Sequence, residues 1–260
     1  MRTIITGAAS GMGRSIAHRL SSDAASAPTQ LFLVDLSAER LAAVADELKD
    51  SGATIHQYVG DLSVPDFCLG LGEAAATAMG GIDAMVSNAG IVASTTGLAD
   101  TELDRYELDF AVNTRATWLL AKSCYPHLKA SKGSLVATAS LAAQQVAPFL
   151  GAYSASKAAV VMLVKQLAYE WGKDGIRSNC ISPGRVLTAM NQQVIKQAPS
   201  TTEARLALGR AGEPSEVADA VAYLISEKAS YITGANLAVD GGMEVSLMSA
   251  LRNEAPSQSN

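Results

Sequence analysis

Short apolar runs that end in a small or acidic residue, each followed by a stretch with helical spacing, recur along this chain. They constrain its fold more than any other feature. "LFLVD" (31–35) is unbroken in apolar side chains up to its terminal acid, the pattern of a strand buried on both faces. "SAERLAAVADELKDSG" (37–52) follows with apolar residues one helical turn apart, Ser37 standing as an N-cap and Gly52 as a stop. The couple then repeats. Strands are expected at 2–6, 54–62, 82–90, 133–140, 176–184 and 236–242, and helices at 13–21, 65–79, 104–129, 154–171 and 214–226. Such alternation predicts an α/β fold, a Rossmann-like three-layer α/β/α arrangement around a seven-stranded, mostly parallel sheet with right-handed crossovers. No shift in composition marks a linker, so 1–260 is expected to be a single domain, with a substrate-lid insert at about 187–210 and fraying from about 250.

Charge and cysteine usage remove several classes of function. The net charge is -5, and basic residues such as Lys122, Lys129 and Lys132 form no continuous stripe, so nucleic acid is not expected as a partner. His18, His56 and His127 lack the paired spacing of common metal sites, and no metal is expected. Cys68, Cys124 and Cys180 are an odd set without a close pair, which favours reduced, buried thiols over a disulfide framework. Apolar stretches are interrupted too soon to span a bilayer, and "MRTIITGAAS" enters a strand at once, leaving no room for a secretory signal. The expectation is a soluble cytoplasmic protein.

In an open parallel sheet, ligands collect beyond the carboxyl ends of the strands. "TGAASGMG" follows the first strand with Gly7, Gly11 and Gly13, and with Ser10 and Met12 between them. Glycine lets backbone amides approach a diphosphate, which the next helix N-terminus also attracts. The spacing is GxxxGxG, and alone it is equally consistent with a plain turn. Asp35, followed by Leu36, ends the second strand, where a carboxylate can accept both hydroxyls of an adenosine ribose. That acid would oppose a 2′-phosphate, which favours NAD over NADP; neither Ser10 nor Leu36 supplies a compensating cation, although Arg14 is near enough in sequence to do so. Capping of the next helix is the other job open to Asp35, with Ser37 as competitor. Asp61, beside Leu62, stands at the third exit either to meet an adenine amino group or to cap a turn. Asn88, Ala89 and Gly90 keep the fourth exit small enough for a ring or sugar.

"GAYSASKAAVVML" places Tyr153 and Lys157 four residues apart on one helix face. A phenol titrates near pH 10, and a neighbouring ammonium favours phenolate, so Tyr153 is expected to exchange a proton with a substrate oxygen. Ser140, after the fifth strand, can bind the same oxygen, or can serve as a cap. Asn113 lies inside the long helix expected at 104–129, where it either marks a bend or breaks a helical bond and holds a water that relays protons from Lys157.

With these residues in view, the chain resembles the short-chain dehydrogenase/reductase family over nearly its whole length, as an NAD-preferring member. The motifs are "TGAASGMG", "NAG" (88–90), Asn113, Ser140, "YSASK" (153–157), "PGRVLT" (183–188) and the late "VDGG". The resemblance implies a catalytic tetrad of Asn113, Ser140, Tyr153 and Lys157. Tyr153 would be the general acid/base, and Lys157 would also hold the nicotinamide ribose. Ser140 would polarise the substrate oxygen, and Asn113 would anchor a relay water. It further implies cofactor contacts from Tyr153, Pro183, Gly184, Val186 and Thr188, and a homotetramer or homodimer built through helices near 104–129 and 154–171. Ser87 stands where the family often has asparagine, and Met12 where a smaller aliphatic residue is common.

Within the family, enoyl reduction is disfavoured by the YxxxK spacing and carrier-protein ketone reduction by Asp35. NAD-dependent interconversion of a secondary alcohol and a ketone is left, with dihydrodiols or sugar alcohols as alternative substrates and a non-catalytic dinucleotide-binding protein as the less favoured reading. Specificity is expected in "IVASTTGL", "LAAQQVAPFLG" and the 187–210 insert with Met190, Val194 and Ile195. Their apolar character points to a neutral, fairly apolar alcohol or ketone, although packing of the insert against the body explains the same pattern. Arg185 and Arg210 are the cations that an anionic substrate would have available.

Overall fold

The computed structural model of the protein describes residues 1–25, 27–188 and 206–245. Most of the proposed lid, including Met190, Val194 and Ile195, and the tail from about 250 lie outside the described residues. Seven strands form one sheet: β1 (Arg2–Thr6), β2 (Gln30–Asp35), β3 (Thr54–Val59), β4 (Ala84–Ser87), β5 (Ser134–Thr138), β6 (Arg177–Pro183) and β7 (Asn236–Val239). Their order is β3-β2-β1-β4-β5-β6-β7, and every pairing is parallel, so the expected "mostly parallel" sheet is wholly so. Helices α1 (Gly11–Ser21), α2 (Ala38–Glu47), α3 (Pro65–Met79), α4 (Leu103–Asp109), α5 (Ala116–Ser131), α6 (Gly151–Trp171) and α7 (Pro214–Ile225) lie in the connections. The chain leaves β1 towards β2 and β3, then returns to the other side of β1 as β4. That reversal opens a crevice at the carboxyl ends of β1 and β4.

Strand alternation sorts side chains between two cores. Ile4, Phe32, Val34, Met85, Leu135 and Ala137 join Leu71, Leu120, Leu128, Val160 and Val164 beneath α3, α5 and α6. Their strand neighbours Ile5, Leu31, Leu33, Val86 and Val136 face the other way, onto Ile16, Leu20, Leu41, Val217 and Val221 of α1, α2 and α7. Each inner strand is therefore apolar at consecutive positions because both of its faces are covered. Cys68, Cys124 and Cys180 are free and buried, with their thiols pushed up to about 11, 12 and 12 by desolvation.

Several boundaries differ from expectation. α1 starts at Gly11 rather than Gly13, α2 ends at Glu47, and α6 starts at Gly151, so that Tyr153 and Lys157 both lie within it. The single helix expected at 104–129 is instead α4, a π-helical turn at Phe110–Arg115, and α5. A π turn fits an extra residue into the helix, and here it carries Asn113 into the interior at 1% exposure. The helix then ends where Lys132 enters the left-handed region at φ 53, just before Gly133.

Candidate active site

The turn leaving β1 is held by close approach. Gly7 has φ +65, and a Cβ built on Gly13 would stand 2.0 Å from the Gly7 carbonyl oxygen and 2.7 Å from Asn88 Nδ2. No other residue type fits at Gly13 without moving strand against helix. Ser10 caps α1 in extended conformation with no side-chain hydrogen bond, and the first turn of the helix carries no acid. The leading amides of α1 thus meet no acidic side chain from the helix's own first turn and no side-chain cap, which suits a diphosphate. A Cβ on Gly11 would lie 3.3 Å from Thr188 Cγ2, which brings the segment after β6 against the glycine turn. Met12 packs at the margin of the core beneath.

Asp35 reaches back to this turn. Its Oδ2 accepts from the Ala9 amide at 3.0 Å and its Oδ1 from the Ser37 amide at 3.1 Å, which leaves further lone pairs on each oxygen. The cap of α2 is Ser37, whose side chain accepts from Arg40 N, so capping is not what Asp35 does. Arg14 is committed elsewhere: its guanidinium makes a two-point contact with Glu47, at 2.8 and 3.0 Å. Leu36 is exposed beside the acid. Asp61 lies beyond the end of β3 and uses Oδ1 to accept from the Ser63 amide at 2.7 Å, closing a turn. Leu62 packs on the core and takes a hydrogen bond on its carbonyl from Cys68.

At the fourth exit the Asn88 side chain fastens strands together. Its Nδ2 donates to the Thr6 and Gly7 carbonyls, and its Oδ1 accepts from Thr138 Oγ1 at 3.3 Å. Thr6 Oγ1 in turn receives the Asn88 and Ala89 amides, both at 3.1 Å. Ser87 meets Thr117 at 2.9 Å, and Thr117 donates to the Asn113 carbonyl, so the departure at Ser87 ties β4 to the π turn. Pro183 is buried at the end of β6. A Cβ on Gly184 would come within 2.7 Å of Asp240 Cβ, which places "VDGG" against this exit. Val186 is buried and bridges to Gly212.

Tyr153, Lys157, Ser140 and Asn113 converge around β5. Lys157 is buried, donates to the Thr138 carbonyl at 2.8 Å, and has Nζ 5.8 Å from the centre of the Tyr153 ring. Ser140 accepts from the Ala142 amide at 3.1 Å, and its hydroxyl lies near enough to the phenol to lower its pKa. Gly90 makes room for the lysine, since a Cβ there would be 2.9 Å from Nζ and 3.1 Å from Asn113 Oδ1.

Two expectations need correction. Lys157 does not depress the Tyr153 pKa here; burial raises it, the nearby Ser140 hydroxyl opposes that rise, and the charge of Asp109 adds to it. Desolvation also acts on the lysine and brings it down to about 8, with Asp109 opposing. Nor is the Asn113 carboxamide open to solvent. Oδ1 accepts from the Ile91 amide at 2.9 Å, and Nδ2 donates to the Ile91 carbonyl at 3.0 Å and to Ser156 Oγ at 2.9 Å. Both amide hydrogens are taken, so a relay water can meet only the remaining Oδ1 lone pair or the backbone of the π turn.

Thr6, Thr117, Thr138, Ser156 and Asp109 build the site without having been singled out. Thr6 and Thr138 were visible as polar residues closing apolar strands, and Asp109 as an acid one turn ahead of Asn113 in "ELDFAVN". Among the described residues of the stretches expected to set specificity, several apolar side chains stand at the surface. Leu98 packs where a Gly151 Cβ would sit, and Val146 and Phe149 are exposed, Phe149 at φ 60. Gln145 is held by the Glu244 carbonyl at 2.8 Å, and Arg210 is paired with Glu216.

The family model described as enoyl-(acyl carrier protein) reductase matches residues 7–244. The meso-2,3-butanediol dehydrogenase of Serratia marcescens is 34% identical over 244 residues, covering 94% of each chain. The cyclopentanol dehydrogenase of Comamonas testosteroni is 32% identical over 243 residues, covering 92% of this chain and 95% of its own. The crystal structure of an NAD+-bound xylitol dehydrogenase superposes with a TM-score of 0.86 at 25% identity, covering 92% of this chain and 97% of that one.

Proposed function

This chain belongs to the short-chain dehydrogenase/reductase family, a family of oxidoreductases that bind a nicotinamide dinucleotide, and from that premise we propose that it interconverts a secondary alcohol and a ketone with NAD. The observation that carries the reading is the convergence of Tyr153, Ser140 and Lys157 at the crevice where the glycine turn and Asp35 meet. Asp35 supports NAD over NADP, because its carboxylate is pinned at the glycine turn while Arg14 is neutralised by Glu47. Gly7, Ser10, Gly11, Gly13, Asp35 and Thr188 would hold the dinucleotide, with Asn88, Ala89, Gly90 and Pro183 shaping the floor.

A bound NAD supplies the hydride acceptor. Ser140 orients the substrate oxygen, and Tyr153 takes its hydroxyl proton during oxidation or returns one during reduction. Without ligand the burial of Tyr153 favours the neutral phenol, so the resting site is set to donate. Lys157 keeps a positive charge within the same turn of α6, and Asn113 fixes the loop above it. The exposed Val146 and Phe149, with Gln145 and Arg210 already engaged, support a neutral, fairly apolar substrate; the butanediol and cyclopentanol dehydrogenases are both named for neutral alcohols, the second of them fairly apolar. A groove of about 790 Å³ on the outer side of α4 and α5, lined by Tyr106, Phe110, Trp118 and Leu163, supports a homodimer or homotetramer. Light scattering on the wild type and on Trp118→Glu tests the assembly.

The reaction is tested by incubating the protein with NAD and a panel of cyclic and linear secondary alcohols while following absorbance of NADH. Tyr153→Phe is expected to abolish turnover and leave NADH binding, read by fluorescence, within about threefold of wild type. Full turnover in that variant would refute the proton-transfer role.

A further inference from the structure

Asp109 is a carboxyl acid with no exposed surface at the last turn of α4, and none of the tetrad roles uses it. Its Oδ1 accepts from the Ala93 amide at 3.0 Å, while its Oδ2 is buried without a hydrogen-bond partner. Four residues on, Asn113 binds both backbone groups of Ile91. Together the two side chains clamp the start of the loop leaving β4, whose Gly90 lies against Lys157 Nζ. A buried ammonium with one carbonyl partner is costly unless an opposite charge is near. From α6 the charge of Lys157 and the phenol of Tyr153 both feel Asp109, and the loop after β4 gives it the Ala93 amide. The charge of Asp109 opposes the fall of Lys157, while burial raises Asp109 itself and the Ala93 amide and the lysine hold it down.

We propose that Asp109 is a positioning residue of this site: its buried carboxylate holds the loop over Lys157 and supplies the negative charge that keeps the lysine an ammonium beside Tyr153. The importance of that role for turnover rests on the reaction proposed above, but the charge relation does not, and it can be read on the free protein. Burial draws Lys157 down to about 8, and the charge of Asp109 holds it from falling further. The same charge discourages phenolate at Tyr153. Asp109 would therefore tie the two groups together, keeping both protonated at neutral pH until ligand binding changes the field.

The test is a pH titration of ¹³Cε-labelled lysines by NMR in the protein without ligand, the Lys157 signal being assigned by its loss in Lys157→Met. In Asp109→Asn, which keeps an oxygen for the Ala93 amide, the Lys157 midpoint should fall by roughly half a unit or more, and the absorbance midpoint of Tyr153 should fall with it. A Lys157 midpoint unchanged in folded Asp109→Asn would overturn the proposal. If that variant does not fold, the reciprocal arm decides: in Lys157→Met the ¹³Cγ midpoint of Asp109 should rise, because the lysine charge now lowers it. An Asp109 midpoint that stays in place would overturn the proposal equally. Neither readout requires a substrate, so a silent alcohol panel would leave this result standing.

Discussion

Lys157→Met should make the ligand-free protein more stable at neutral pH, and the gain should shrink as pH rises. The lysine is 3% exposed and titrates at about 8 against an ordinary 10.5. Its folded value is depressed, so the folded state binds fewer protons than the unfolded chain between those limits, and stability rises with pH across that window. Below about 8 the full burial penalty applies, amounting to about 3 kcal/mol at pH 7 and falling to about 1 kcal/mol at pH 9.5. Methionine matches the stem of lysine without its charge, but leaves the Thr138 carbonyl without its donor, which costs about 1–2 kcal/mol at every pH. The net expectation is a gain of about 1–2 kcal/mol at pH 7 that falls by about 2 kcal/mol by pH 9.5. Urea unfolding of both proteins at the two pH values measures it, and titrating groups that do not interact with Lys157 cancel in the difference. A gap between variant and wild type that does not change with pH would refute the reasoning, because it would mean that the buried amine holds its proton as tightly as the lysine of the unfolded chain does.

Other consequences are quicker to check. Gly13→Ala should cost about 2 kcal/mol or more and abolish dinucleotide binding, since its methyl would overlap the Gly7 carbonyl; an unchanged melting temperature and NADH fluorescence titration would contradict this. Asp35→Ala should relax the preference for NAD over NADP by about tenfold in kcat/KM, and an unaltered ratio would remove the ribose argument. Alcohol oxidation should rise with pH above neutrality while ketone reduction does not, because burial holds Tyr153 in the proton-bearing form; parallel profiles in the two directions would count against that role. Cys68, Cys124 and Cys180 should resist a thiol-specific dye in the native protein and react fully in urea, and rapid native labelling would place one of them at the surface.

The sheet was legible because both of its faces are buried, so every inner strand reads as an apolar run, and the strand ends reveal themselves by Thr6, Asp35 and Thr138. β3 is shorter than its sequence suggests: it is the edge strand, none of its positions is fully buried, and nothing in "YVGDL" marks where pairing stops. Tyr153, Lys157, Ser140 and the glycine turn announced themselves through side-chain chemistry at fixed spacing. The sign of the tyrosine shift did not, because sequence spacing reports proximity of Lys157 and is silent about desolvation. Asn113 stood out as a poor helix residue, yet the π turn depends on tertiary ties to Ile91 and Ser156, which are 22 and 43 residues away. Asp109 escaped notice for a similar reason. An acid on a helix is normally solvated, and only packing against the loop after β4 encloses this one.

The strand order carries a consequence for how the cradle comes into being. Residues 2–59 hold β1, β2 and β3 and can pair as soon as they leave the ribosome, with every cradle glycine before Asp35 already present. Thr6 and Gly7, however, are fixed by Asn88, whose amide and carboxamide arrive later with β4. A nascent chain or fragment ending before that residue keeps the glycines and the acid but leaves their turn unfastened. Competence to grip a nucleotide is thus not complete when the glycines and the acid have been made, and waits for β4 to close against β1.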